Sequence, residues 1–271
     1  MTDLVDNGKL SYSDVTVIKA IALIMMLCHH FWGFPEWLAL DVSMNHMFIG
    51  EVDVAYYIGH FCKLCVGIFA FLNGYLFFIK QENFRKVKYR IHKIIGLLVP
   101  YWVVEVIFLG MCFIGTEPFP DLFQLLSNLV GLETGMEGGV NVSFAWYVFF
   151  YTAMLLAFPM IEFFMDRTVW EQVCFAILFP KILVKVRWIL GEESIISFLL
   201  DQSRAATYIP IVLSGIMCAQ HDLIYYMMKV TNRVPKAVTA LCSIGGIVFL
   251  GMIRLRFRYY SGISLDILFA P

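Results

Sequence analysis

Long apolar runs separated by short polar stretches dominate the sequence. A helix needs roughly 20 residues to cross the hydrocarbon core of a bilayer, and seven of the runs come close to or exceed that length. Runs this long favour buried helices over strands, which rarely exceed eight residues. We therefore predict an all-α, polytopic bundle of transmembrane helices with about seven to eight spans. The predicted spans are residues 15–33, 54–79, 94–115, 144–165, 169–186, 204–220 and 236–254.

The end of the chain departs from this pattern. From Ile263 the sequence is apolar again, but it stops at Pro271, too soon for a helix to cross a membrane. The tail is therefore a re-entrant stub or the start of a span in a truncated domain, and we expect truncation. No internal repeat and no Gly/Ser linker divides the sequence, which predicts one membrane domain over residues 1–271.

Composition supports a membrane location. Hydrophobic residues make up 60% of the chain and charged residues 15%, with a mean hydropathy of +0.76, whereas about a quarter of a soluble domain is charged. The lipid bilayer is thus the expected partner. A net charge of −1 gives no general attraction to nucleic acid. The CxxC pair Cys62 and Cys65 lacks the second pair that a zinc site needs, so we predict no metal.

The distribution of Lys and Arg predicts the orientation. Residues 80–93 contain six of them, whereas the segments 35–53 and 116–143 contain none. Residues 80–93 should be cytoplasmic, and the segments 35–53 and 116–143 should be external. This places the N-terminus in the cytoplasm and the protein in the cell (inner or plasma) membrane. Arg254, Arg256 and Arg258 do not fit this scheme. Either the fifth span is re-entrant, or these arginines face a protein-lined cavity.

The first span contains ionisable side chains. Such groups are costly at membrane depth and often mark a functional site. Lys19 lies near the cytoplasmic end and the pair His29-His30 near the other end. Eleven positions make three helical turns, so Lys19 and His30 share a face, about 16 Å apart along the axis, and His29 is rotated by about 100°. A neutral imidazole can remove a proton from a hydroxyl. An interfacial histidine bonded to a carbonyl is the alternative.

The next two spans contain further candidates. Asn73-Gly74 would let two helices approach closely and form interhelical hydrogen bonds, although packing alone also explains such a pair. Glu105 shares a helix face with Tyr101 and Trp102; it must be protonated, be paired, for example with Lys63, or line water. The last candidates are the two cations at the start of the third span, which could bind phosphates, although positive-inside topology alone also explains them. These are Arg90 and Lys93.

Four short motifs follow one another in the first 160 residues. A basic residue is followed, after ten intervening residues, by a histidine. Next come an aromatic-rich segment ending in Gly-Tyr, a basic stretch leading to Pro-Tyr-Trp, and an aromatic segment ending in Phe-Pro. They are Lys19-Ala20-Ile21-Ala22 with His30, Phe69–Tyr75, Arg90–Trp102 and Trp146–Pro159. In this order they resemble the membrane acyltransferase 3 family of bacterial O-acyltransferases, including O-acetyltransferases, over roughly residues 12–162.

The resemblance implies about ten spans and an enzyme that transfers an acyl group other than an amino-acyl group. The donor would be cytosolic acyl-CoA, with acetyl-CoA expected, and the acceptor a hydroxyl of a cell-envelope or exported carbohydrate such as a polysaccharide. No tightly bound cofactor is implied. Two other interpretations stay open. One is a transporter or flippase with a pathway through Lys19, His30 and Glu105, and the other is an inactive, truncated family member.

The resemblance also implies roles for individual residues. His30 would be the base with His29 in support, and Lys19 would occupy the family's arginine position, without the planar fork of an arginine. Asn73 stands where the family has serine, and Arg90 is about one turn displaced, which leaves Lys93 in register. The catalytic candidates are His30, His29, Lys19 and Glu105, and the donor-binding candidates are Arg90, Lys93, Asn73, Tyr75, Tyr101 and Trp102.

Overall fold

The computed structural model describes residues 9–33, 47–50, 52–114, 121–132, 145–191 and 193–257. These residues are nearly all helical, as predicted. Their β-structure is a hairpin that the sequence did not predict, in which strand β1 (Phe48–Ile49) pairs with β2 (Val52–Asp53). The helices are α1 Tyr12–Trp32, α2 Val54–Cys62, α3 Leu64–Ile79, α4 Gln81–Phe84, α5 Val87–Ile114, α6 Leu122–Asn128, α7 Ala145–Leu156, α8 Phe158–Met165, α9 Val169–Leu190, α10 Ile195–Gln202, α11 Ala205–Gln220, α12 Leu223–Thr231 and α13 Lys236–Phe257.

Within the described ranges, three helical segments are long and apolar enough to cross a membrane. They are α1, the segment Val54–Ile79 formed by α2 and α3, and Val87–Met111 of α5. The pair α7 and α8, bent by 61°, makes a fourth if it is one broken span. The predicted count of seven to eight spans is not confirmed. Helices do occupy the other predicted segments, but α11 has 16 residues and α9 carries several charged side chains.

The described chain forms two compact units, each considered by itself. Unit 1 contains the residues up to Ile79 and those from Thr207, and unit 2 contains Lys80–Ala206. The single domain predicted from the sequence remains a prediction. The apolar tail from Ile263, with Arg258 before it, lies outside the described residues, as do residues 34–46 of the predicted first loop.

Helix α1 of unit 1 begins at a capping box. The Ser11 hydroxyl accepts from the Asp14 N–H at 3.2 Å, and the Asp14 carboxylate accepts from the Ser11 N–H at 2.8 Å. These two bonds satisfy N–H groups that have no partner inside the helix. Further along α1, Ala22 and His29 are buried seven residues apart, which places them on one stripe. Helices α2 and α3 pack against α1.

A close crossing joins α3 and α11 in unit 1. A Cβ at Gly74 would lie 1.9 Å from the carbonyl oxygen of Val212, and one at Gly215 would lie 2.1 Å from that of Phe71. Each helix therefore presents a glycine to the backbone of the other, the arrangement by which small residues let membrane helices approach. The close approach predicted at Asn73-Gly74 is confirmed for Gly74.

Unit 2 is organised around aromatic side chains and a broken helix. Helix α7 ends at Leu156, and after one intervening residue α8 begins with Phe158 followed by Pro159. The Phe158 ring is buried and stacks on Phe84 of α4, with ring centroids 5.6 Å apart. The end of α8 is capped by the buried Gln172 of α9, whose amide donates to the carbonyl of Phe164 at 3.1 Å. Both ends of α8 are therefore held by contacts with other helices of unit 2.

Candidate functional site

The histidine pair lies in the last turn of α1. His29 is 5% exposed, and its Nδ1 lies 2.8 Å from the carbonyl oxygen of Gly59 in α2. Because a carbonyl can only accept a hydrogen bond, Nδ1 carries the proton. His30 is partly buried, and its ring centroid lies 5.4 Å from that of His29, with the two planes at 51°. The structure therefore commits His29 to a bond between helices and leaves His30 partly accessible.

The His29 bond depends on Gly59. A Cβ at this position would lie 2.5 Å from both the backbone nitrogen of Gly33 and the carbonyl carbon of Trp32. The end of α1 and the middle of α2 are therefore in backbone contact, which a larger residue would prevent. That contact brings the Gly59 carbonyl within reach of the imidazole. The role in support that the sequence suggested for His29 thus has a geometric basis.

A third histidine belongs to this end of unit 1. His60 is buried in α2, directly after Gly59, and Tyr56 contacts its ring edge-on with centroids 4.1 Å apart. His29 lies within electrostatic range of His30, His60 and Lys63. His60 is not among the site residues predicted from the sequence. The signal was present, because an ionisable residue inside an apolar span is by default a functional candidate.

Three other predicted site residues belong to unit 1: Lys19, Asn73 and Tyr75. Lys19 is exposed on α1, and the three-turn register with His30 holds because the helix is continuous between them. Asn73 is partly buried. Tyr75 is buried, and its hydroxyl accepts from the N–H of Leu10 at 2.9 Å, which fixes the chain just before α1. The donor-binding role of Asn73 and Tyr75 remains a prediction.

In unit 2, α5 binds the end of α6 through two aromatic side chains. The indole of Trp102 donates to the carbonyl of Leu129 at 2.8 Å. The hydroxyl of Tyr101 lies 2.8 Å from the carbonyl oxygen of Asn128 and also 2.8 Å from Oε1 of Glu105, which is 5% exposed. The carbonyl groups at the end of a helix have no partner within the helix, so Tyr101 and Trp102 close the end of α6.

The number of hydrogens available in this cluster indicates the protonation state of the Glu105 carboxyl. A tyrosine hydroxyl has one hydrogen, and both a carbonyl and a carboxylate can only accept. If the Asn128 carbonyl receives the Tyr101 hydrogen, the second 2.8 Å contact needs a hydrogen from Glu105. A protonated carboxyl provides it and also avoids burying a charge. Of the three states that the sequence left open, the geometry favours the protonated one.

The two cations of the third span differ in their surroundings. Arg90 is partly buried, and its Nη1 donates to the carbonyl of Leu155 at 3.4 Å. Lys93 is exposed, with its amine 5.4 Å from the ring centroid of Tyr89. Nearby, Arg85 forms ion pairs with Glu82 and Glu162, and the hydrogen bond to Glu162 raises the pKa of the Arg85 guanidinium.

Within the described part of the chain, no group of three or more His, Cys, Asp or Glu side chains is arranged to hold a metal ion. Cys62 and Cys65 are both buried in the helices of unit 1. The Cys65 thiol donates to the carbonyl of Lys63 at 3.8 Å.

Comparison with protein families gives one result that covers almost the whole chain. The model of the acyltransferase 3 family, described as an acyltransferase domain, matches residues 12–270. The chain belongs to the acyltransferase 3 family. Comparison with curated proteins finds no match, and comparison with solved structures finds none. The family resemblance of the first 160 residues is thus confirmed and extends almost to the end of the chain.

Membership in the acyltransferase 3 family, together with its apolar helices, indicates a membrane-embedded acyltransferase. The structure brings His29 and His30 together with His60 in unit 1. In unit 2 it brings Tyr101 together with Glu105. It also gives Arg90 a protein partner and leaves Lys93 exposed.

Proposed function

We propose that this protein is a membrane O-acyltransferase that moves an acetyl group from acetyl-CoA to a hydroxyl of a cell-envelope or exported carbohydrate. The observation that carries the proposal is the histidine pair in a membrane-length helix of an acyltransferase 3 protein. The protein lies in the cell membrane with a cytoplasmic N-terminus and seven to eight spans. The distribution of Lys and Arg supports this orientation.

His30 is the general base in this proposal. Its ring takes the proton of the acceptor hydroxyl while the hydroxyl oxygen attacks the thioester carbonyl of the donor. An oxygen–carbon bond forms, the carbon–sulfur bond breaks, and CoA leaves as a thiolate that is then protonated. Partial burial suits this role, because the ring remains partly accessible and burial disfavours its charged form.

His29 positions His30. The bond from its Nδ1 to the Gly59 carbonyl fixes the last turn of α1 against α2, so the neighbouring ring is held in one orientation. Loss of this bond should lower turnover by less than loss of the base. The exposed amine of Lys93 is suited to a phosphate of the donor, because an ammonium group binds phosphate as a point charge.

The test compares three histidine variants in an assay of acetyl transfer from radiolabelled acetyl-CoA to envelope carbohydrate. A general base contributes about 10²–10⁴-fold to the rate, so His30→Ala should lose that much. His29→Ala should lose less, and His92→Ala, an exposed histidine of α5, is the matched control and should keep its rate. Full activity of His30→Ala would contradict the assignment of the base.

A second measurement tests the donor without needing the acceptor. A ligand that binds the native state alone raises its stability by mass action, by about 2.7 kcal/mol at one hundred times the dissociation constant. Acetyl-CoA should therefore raise the unfolding temperature of the purified protein, and free acetate should not. Absence of any shift up to millimolar acetyl-CoA would argue against this donor.

A further inference from the structure

The break between α7 and α8 leaves a carbonyl without its helical donor. Proline has no N–H, so the carbonyl four residues before a proline loses its hydrogen bond. Here that carbonyl belongs to Leu155, and the proline is Pro159. Leu155 is 0% exposed, so solvent does not reach it. A buried carbonyl at membrane depth needs another donor to compensate.

Arg90 provides that donor from a different part of the chain. Its Nη1 lies 3.4 Å from the Leu155 oxygen, 65 residues away in the sequence. Its guanidinium carbon also lies 5.8 Å from the ring centroid of Phe158, the first residue of α8. The side chain thus contacts both sides of the break. A guanidinium suits this place, because it stays charged, has five N–H donors in a fixed plane, and stacks on aromatic rings.

Two further contacts hold α8 from the same stretch of chain. Phe84 stacks on Phe158, and Arg85 forms an ion pair with Glu162 one turn further along α8. The ion pair is partly exposed, so its contribution to the free energy of unfolding is small. The segment from α4 to the start of α5 therefore contacts α8 through three side chains: Phe84, Arg85 and Arg90. The Arg90 contact lies directly at the break.

We propose that Arg90 is a positioning residue that seals the break between α7 and α8: its guanidinium donates to the Leu155 carbonyl and so holds α8 at its 61° bend. This assignment replaces the donor-binding role that the sequence suggested for Arg90. It deepens the proposed function in one respect. Loss of Arg90 would distort the bend and so slow turnover, but it would not weaken binding of the donor. That kinetic consequence rests on the proposed function, whereas the sealing of the break does not.

A double-mutant cycle in lipid nanodiscs tests the seal. Arg90→Met should lower the unfolding midpoint by about 2–4 °C. Pro159→Ala restores an N–H for the Leu155 carbonyl, so Arg90→Met made in that background should cost less than about 1 °C. Lys88→Met, which removes a charge from an exposed position on the same helix, is the control and should change nothing.

Arg90→Lys keeps a cationic donor and should retain most of the stability, which provides a second test if the proline variant does not fold. Equal losses for Arg90→Met with and without Pro159 would overturn the proposal, as would a midpoint for Arg90→Met equal to that of Lys88→Met. Equal losses for Arg90→Lys and Arg90→Met would also contradict it.

Kinetics separates positioning from donor binding. In Arg90→Met the turnover number should fall while KM for acetyl-CoA stays within about twofold of the wild-type value. A rise in KM with unchanged turnover would instead assign Arg90 to the donor and overturn the proposal. If the wild-type protein transfers no acetyl group, the proposed function fails, but the stability cycle still decides whether Arg90 seals the break.

Discussion

Substitution of Gly74 tests how tightly α3 and α11 pack. Gly74→Ala would place a methyl carbon 1.9 Å from the carbonyl oxygen of Val212 and 2.7 Å from its carbonyl carbon. Carbon–oxygen contacts in proteins are about 3.3 Å or longer. The two helices would therefore have to separate by more than about 1 Å. The neighbouring group is backbone and cannot rotate away as a side chain could.

Overpacking of a tight core costs about 1–3 kcal/mol, and more where the neighbour cannot yield. We therefore expect Gly74→Ala to cost about 3 kcal/mol or more, even though alanine by itself favours a helix over glycine by about 1 kcal/mol. For a chain of this size that corresponds to a midpoint lower by about 6–12 °C. Thermal unfolding of the wild-type and variant proteins, purified in the same detergent, measures this change in midpoint.

Gly96→Ala is the matched control, because a Cβ at this position in α5 meets nothing within 4 Å. It should be neutral or slightly stabilising. Gly215→Ala, with a Cβ 2.1 Å from the Phe71 carbonyl oxygen, should be as harmful as Gly74→Ala. Adding Val212→Ala should not rescue Gly74→Ala, since the clash is with backbone. A Gly74→Ala protein as stable as Gly96→Ala would refute the packing argument.

Three further predictions concern single side chains. Tyr75→Phe removes the acceptor of the Leu10 N–H and should cost about 1 kcal/mol, with faster hydrogen exchange at that amide as the readout. Glu105→Gln imitates a protonated carboxyl beside Tyr101 and should change stability by less than about 0.5 kcal/mol, whereas Glu105→Ala should cost about 1–3 kcal/mol, both read from thermal unfolding. Gly59→Ala should lower acetyl transfer by displacing α2 from the histidine pair, measured with the same carbohydrate assay.

Features set by local sequence could be predicted. The apolar run of the first span is enough to predict most of α1, and the continuity of this helix preserves the register of Lys19 with His30. The close approach at Gly74 followed from a glycine inside an apolar run. These features depend on residues within a few turns of one another, so periodicity and composition are sufficient to find them.

Features that depend on distant contacts could not be predicted in the same way. The break in the fourth predicted span has a local signal in Pro159, but the residue that satisfies the freed carbonyl is 65 positions away. The bonds from Tyr101 and Trp102 to the end of α6 each join residues 27 positions apart. Helical periodicity gives the face of a side chain but not the element that this face meets.

The basic segment shows why charge count alone does not identify a ligand site. Within residues 80–93, Arg85 and Arg90 have acceptors in α8 and α7, whereas Lys88 and Lys93 are exposed. A guanidinium has a planar set of donors that suits carbonyls and carboxylates, whereas an ammonium is a compact and strongly hydrated point charge. In the proposed function, a phosphate of the donor would therefore meet the lysines first. Among the predicted donor-binding cations, Lys93 is the stronger candidate, and Lys93→Met should raise KM for acetyl-CoA while Arg90→Met should not.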